Sequence, residues 1–184
     1  GGPFSVMTEV GLFSAMAEGV DVNALWRGAK EVNDAFWKKT PMQNVPMLYA
    51  ALQFLHYKQG KALSVMMPYV SRLGLVGSWY RQLWAESLGK DEGATTPIAA
   101  QGTVDQHSQL QLWLDGPADK LFTLIFGRAR GTGPSIAPPA GAGAGLDWLR
   151  GRRMGDLLDA EQAATRDSLV AKGRPVRVIE VDRA

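Results

Sequence analysis

The sequence contains no cysteine and only two histidines, His56 and His107. Without cysteine, neither a disulfide framework nor a thiolate zinc site can be built. A reducing, cytoplasmic setting is the expectation. The two histidines are far apart and no His/Asp/Glu group shows ligand spacing, so no metal is expected. Long apolar runs are missing as well. None approaches the roughly 20 residues that cross a bilayer, and the first residues lack a basic segment followed by an apolar one. No membrane role is expected. Charge of one sign is not in excess either, the net being +2. Arg128, Arg130, Arg150, Arg152 and Arg153 flank a Gly/Pro-rich stretch. No groove-reading helix or RNA-stacking motif accompanies them, so they read as a solvated surface and no nucleic-acid partner is expected. With 184 residues, 46% of them hydrophobic and 21% charged, the composition is that of a globular protein with one substantial core.

The first third reads as helical. Residues 9 to 19 form a short helix ended by Gly19. Asp21 is placed to cap a second helix, in which Leu25, Ala29, Val32 and Phe36 share one stripe. Lys38-Lys39-Thr40-Pro41 closes it. Asn44 to Gln59 is apolar over most of a third helix, which predicts burial on more than one side. After residue 60 the rhythm changes. Strand-like runs at Ala62–Met67, Pro97–Ala100, Leu121–Phe126 and Val176–Val181 alternate with helical segments over 73–89, 105–114 and 154–172. That alternation predicts an α/β fold with a mostly parallel sheet and helices on both faces. Gly131 to Gly145, built almost entirely of glycine, alanine and proline, reads as a mobile loop.

Two runs carry the chemistry: Gly77-Ser-Trp-Tyr-Arg-Gln-Leu-Trp-Ala-Glu-Ser-Leu-Gly-Lys90 and Gly102-Thr-Val-Asp-Gln-His-Ser-Gln109. Gln82 and Glu86 are four apart, so on a helix they share one face. Leu75, Val76, Trp79 and Leu83 form a neighbouring stripe to hold that helix against the sheet. His107 lies just inside the start of a helix capped by Thr103 or Asp105. A random Gln–Glu pair is usually solvated surface, and a lone histidine is usually structural; His56, beside Tyr57 on an apolar helix, is given that reading. An amide, a carboxylate and an imidazole together make a possible acid–base site.

These runs resemble the second sugar-isomerase (SIS) domain of the glucose-6-phosphate isomerase family, also called phosphoglucose isomerase, of the bacterial type. The resemblance implies an SIS-type open, mostly parallel sheet, with residues 1–60 as helices bridging from a preceding SIS domain. Residues 61–184 would be the second SIS domain, truncated at its C-terminus. It also implies reversible isomerisation of glucose 6-phosphate to fructose 6-phosphate through an enediol, without a cofactor. By resemblance Glu86 is the base moving a proton between C1 and C2, Gln82 lines the same pocket, and His107 assists ring opening. In that family the histidine reaches the neighbouring subunit's site, which implies a homodimer acting on a sugar phosphate.

A weaker match lies at the start. Gly1-Gly2-Pro3-Phe4-Ser5 is similar to the family's Gly-Gly-Arg-(Phe/Tyr)-Ser run, with Pro3 where an arginine would stabilise the enediolate. The first residue is not methionine, and the chain stops three residues past Val181, so both ends read as cut. The family's phosphate-gripping loop would precede Gly1 and its ring-opening lysine would follow Ala184. Lys172, at a helix end, is a capping residue instead. The fragment alone is expected to be inactive. The alternative is a non-catalytic SIS protein that binds a sugar phosphate or regulates. It is disfavoured because the turn Pro68-Tyr-Val-Ser-Arg-Leu73 offers only Ser71 to a phosphate.

Overall fold

The computed structural model describes residues 4–38, 40–90, 93–138, 141 and 144–182. It divides into two units, one made of Gly1–Lys61 with Gln82–Thr95, the other of Ala62–Arg81 with Thr96–Ala184. Helix α4 (Gly74–Leu88) begins in the second and ends in the first.

In the second unit, strands β1 (Leu63–Pro68), β2 (Thr96–Ala99), β3 (Lys120–Gly127) and β4 (Val176–Val181) form one sheet in the order β2-β1-β3-β4. Every pairing is parallel. All four strands arise where the sequence predicts them, and helices accompany them. The central strands β1 and β3 are nearly continuous apolar runs, as burial on both faces requires. On one face, Val65, Met67, Phe122, Leu124 and Phe126 meet Trp113 of α5 (Val104–Asp115) and Leu169 of α6 (Met154–Ala171). The Trp113 and Phe122 rings sit 5.3 Å apart. On the other face the first half of α4 lies close to the sheet. A Cβ on Gly77 would be 3.4 Å from the Met66 carbonyl oxygen and 3.5 Å from that of Ala100, and the Tyr80 and Ser64 hydroxyls are 2.8 Å apart. The expected stripe differs here: Leu75 is 83% and Trp79 45% exposed. A residue with no side chain, rather than a large apolar one, sets how closely the helix axis approaches the strands.

The glycine-rich stretch is also less free than its composition predicts. The Ile136 amide donates to the Arg152 carbonyl (2.8 Å), the Met154 amide to that of Pro134 (3.0 Å), and Arg153 Nη1 to that of Gly133 (2.8 Å). Asp156 accepts from the Gly131 and Arg153 amides, both at 2.8 Å, which hold its carboxyl below the usual range. Small residues leave their backbone groups open, so residues 131–136 bind the start of α6 through the main chain. Pro139, Ala140, Ala142 and Gly143 of the expected loop lie outside the described residues.

The first unit contains α1 (Glu9–Ala17), α2 (Val22–Phe36), α3 (Val45–Lys58) and the end of α4. Asp21 caps α2 as expected, accepting from the Ala24 amide at 2.9 Å. Helix α2 ends at Phe36, with Trp37 as its cap; Lys39 of the expected closing run lies outside the described residues. Buried Asn44 ties α2 to α3: its Nδ2 donates to the Phe36 carbonyl and its Oδ1 accepts from the Met47 amide at 3.0 Å. Burial of α3 on more than one side does not occur. Only its Gln53 is buried, while Met47, Phe54 and Leu55 are exposed, because the described residues supply too few elements to cover it.

Candidate active site

Helix α4 puts Gln82 and Glu86 one turn apart on the same face. Both are exposed, and neither side chain makes a hydrogen bond or ion pair among the described residues. The opposite side of the helix is anchored. Trp84, two residues before Glu86 and half-buried, donates from Nε1 to Thr95 Oγ1 at 3.0 Å. A two-residue step turns about 200° around a helix, so anchoring Trp84 directs Glu86 outward. The amide and the carboxylate are therefore free to meet a ligand.

His107 stands at the end of the first turn of α5, exposed, its amide donating to the Thr103 carbonyl at 3.1 Å and its imidazole without a hydrogen bond or ion pair among the described residues. The backbone leading to it is tightly set. Buried Gly102 passes under Tyr69: a Cβ there would lie 2.5 Å from the ring and 2.6 Å from Tyr69 Cα. Thr103 then takes φ +65°, the only positive value among the described non-glycine residues, a strained conformation that persists only where surroundings enforce it. Thr103 occupies the N-cap but makes no side-chain cap bond. Asp105 acts instead, accepting from the Gln101 amide through Oδ2 (2.6 Å) and from Gln109 Nε2 through Oδ1 (2.8 Å).

A third tie comes from a residue outside the two runs that hold Gln82, Glu86 and His107. The Tyr69 hydroxyl, at the end of β1, donates to Gln106 Oε1 at 2.6 Å and lies 2.7 Å from Thr165 Oγ1 of α6, which can donate in return. Burial pushes this phenol up to about 12, so it remains a donor through the ordinary pH range. Gly102, Tyr69, Gln106 and Asp105 thus fix the turn that presents His107. Nothing local in the sequence could have paired Tyr69 with Thr165, which are 96 positions apart.

Gln82 and Glu86 belong to one unit and His107 to the other. The structure brings the first two together; His107 has its own support. His56, half-buried on α3, carries a buried Nδ1 with no partner among the described residues. Lys172 caps α6 and pairs with Asp115 at 2.7 Å. Pro3 lies outside the described residues. Among the described residues, no group of three His, Asp or Glu could hold a metal ion, and no helix is long and apolar enough to cross a membrane.

A family model described as phosphoglucose isomerase matches residues 1–117, a span that includes Gln82, Glu86 and His107. The probable glucose-6-phosphate isomerase of Haloquadratum walsbyi is 41% identical over 181 residues, covering 98% of this chain and 41% of that protein. The glucose-6-phosphate isomerase of Rubrobacter xylanophilus is 38% identical over 181 residues, covering 98% and 42%. The crystal structure of a hypothetical protein from Thermus thermophilus superposes with a TM-score of 0.87 at 33% identity, covering 100% of this chain and 44% of that one. The chain spans about two fifths of the length of the curated relatives it matches.

Proposed function

The chain belongs to the phosphoglucose isomerase family, and on that premise we propose that it supplies the proton-transfer carboxylate of a glucose-6-phosphate isomerase. The reading is carried by Gln82 and Glu86, side by side on one exposed face of α4 with no internal partner. In the open-chain sugar, the Glu86 carboxylate takes the proton from C2 while the C1 carbonyl oxygen is protonated, giving an enediol. Return of the proton to C1, with loss of the proton from the C2 hydroxyl, leaves the ketose. Gln82 is positioned to hydrogen-bond the same substrate, and the His107 imidazole assists opening of the ring by moving a proton to its oxygen. His107 is proposed to act at the site of a second subunit, in a homodimer located in the cytoplasm. No cofactor enters this chemistry.

The test uses the chain joined to the further sequence that its longer relatives carry, since the 184 residues alone are proposed to turn over little substrate. In a coupled assay the joined protein should interconvert glucose 6-phosphate and fructose 6-phosphate. Glu86→Gln keeps the shape of the side chain and removes the base, so kcat should fall by about 10²–10⁴-fold with KM little changed. Near-normal turnover in that variant would refute the assignment.

A further inference from the structure

A crevice of about 630 Å³ runs along the first half of α6, and Gln82, Glu86 and His107 take no part in its lining. That volume is in the range of small-molecule sites. Ala160, Ala163 and Ala164 line it, and their one-carbon side chains keep the helix surface low. Facing them are Arg130, which follows β3, and Trp148 of the short helical segment Ala144–Leu149. Trp148 is 63% exposed, so its ring is open to stacking.

The two ends of the crevice differ in chemistry. At the start of α6, the Arg153 and Gly131 amides lower the Asp156 carboxyl, and the nearby Arg152 and Arg130 guanidiniums add to the effect. The Asp156 oxygens are taken by those amides at 2.8 Å, and neither guanidinium has a hydrogen bond or ion pair among the described residues. Two guanidinium forks against one carboxylate leave this end positive and open to an oxyanion. Glu161 comes about 7.5 Å farther along the helix. Besides burial, its charge raises the Tyr69 phenol, which places the carboxylate near that hydroxyl. The same hydroxyl donates to Gln106 Oε1 at 2.6 Å, leaving Nε2 as a donor of fixed orientation on the crevice wall. Neither that amino group nor the Glu161 carboxylate has a hydrogen-bond partner among the described residues. An amide donor with a carboxylate acceptor matches a base edge that sets a ring nitrogen beside an amine. Asp159, between the two ends, accepts from Gln162 Nε2 at 3.2 Å and offers a further acceptor to a ribose hydroxyl. An α-amino acid carries its charges on neighbouring groups and cannot reach both ends. A mononucleotide holds a flat ring and an oxyanion at the required separation.

We propose that this crevice binds an adenine mononucleotide, its base stacked on Trp148 with the amine-bearing edge on Gln106 and Glu161, its phosphate on Arg130 and Arg152. The proposal does not rest on the isomerase reading. The test is an NMR titration of the ¹⁵N-labelled 184-residue chain at constant ionic strength. Adenosine monophosphate is the probe, with inosine monophosphate, adenosine and inorganic phosphate in parallel arms. The adenine nucleotide should give saturable shifts of the Trp148 indole, the Gln106 side-chain amide and the Arg152 backbone amide. Inosine monophosphate replaces the amine with a carbonyl, adenosine lacks the anion and phosphate lacks the ring. Each should bind about fivefold or more weakly. Arg152→Ala and Trp148→Ala should weaken the nucleotide about fivefold or more. Both remove exposed side chains, so the remaining spectrum should stay that of the folded chain. Arg150→Ala and Glu86→Gln should leave the affinity unchanged, so loss of isomerase function and loss of this site can be told apart. Any of the three comparison ligands binding as tightly as the adenine nucleotide would overturn the proposal. So would unsaturable shifts, or an unchanged affinity in Arg152→Ala or Trp148→Ala.

Discussion

The Tyr69 hydroxyl joins three elements, reaching Gln106 at the start of α5 and Thr165 in α6 from the end of β1. Removing it strands two partners in a largely dry setting. Tyr69→Phe should therefore cost about 1–3 kcal/mol, measured by chemical denaturation at neutral pH. The pH dependence has a definite sign. Burial raises the folded-state phenol to about 12, from an ordinary value of 10.0. The protonated form is favoured in the folded state, so this contribution is complete below the ordinary value and is lost as pH rises through the folded one. The stability gap between the parent and Tyr69→Phe should narrow between those limits; a gap that stays constant or widens would sink this account. Gln82, Glu86 and His107 could be singled out as candidates from the sequence because each sits in a short run of characteristic neighbours. Tyr69 and Thr165 could not, since only the folded sheet brings them together.

Two glycines test how elements are built. Gly28 lies inside α2 with nothing within 4 Å of a Cβ placed on it. Gly28→Ala should stabilise the protein by about 0.5–1 kcal/mol, the ordinary helix preference for alanine. At Gly102 the same change drives a methyl into the ring and backbone of Tyr69. It should cost about 1–3 kcal/mol and speed amide exchange in the first turn of α5. Thermal unfolding of the two variants checks the contrast; equal shifts in Tm would contradict it. The same contrast explains what the sequence revealed about the elements. Period and caps located the strands and helices within a residue or two, because both are local properties. The inward face of α4 was read only in part: Val76 and Leu83 are half-buried as expected, whereas Leu75 and Trp79 are exposed and the closest approach to the sheet is made at Gly77. The fastening of residues 131–136 was hidden for a related reason: it is made by backbone groups, which composition does not display.

Across the molecule, the two units differ in kind. The sheet unit buries Val65, Met67, Trp113, Phe122, Leu124 and Leu169 almost completely. In the helical unit, the buried residues among those described are Asn44, Gln53 and Thr95, all polar. Phe13, Trp26, Val32, Phe54 and Leu55 face outward there. Burial of apolar surface is the main driving force for folding, so a unit without an apolar interior should open easily. Native-state hydrogen exchange on the 184-residue chain should show α1, α2 and α3 opening with free energies well below those of β1 and β3. Uncovered apolar faces also have a use when a partner surface covers them, and the matched relatives are more than twice as long as this chain. Joining the chain to the further sequence of a longer relative should therefore raise protection in α1–α3 by orders of magnitude while leaving β1 and β3 nearly unchanged. Protection in α1–α3 that already equals that of the sheet in the 184-residue chain would show that these helices need no cover. Protection unchanged by the added sequence would show that it covers a different surface.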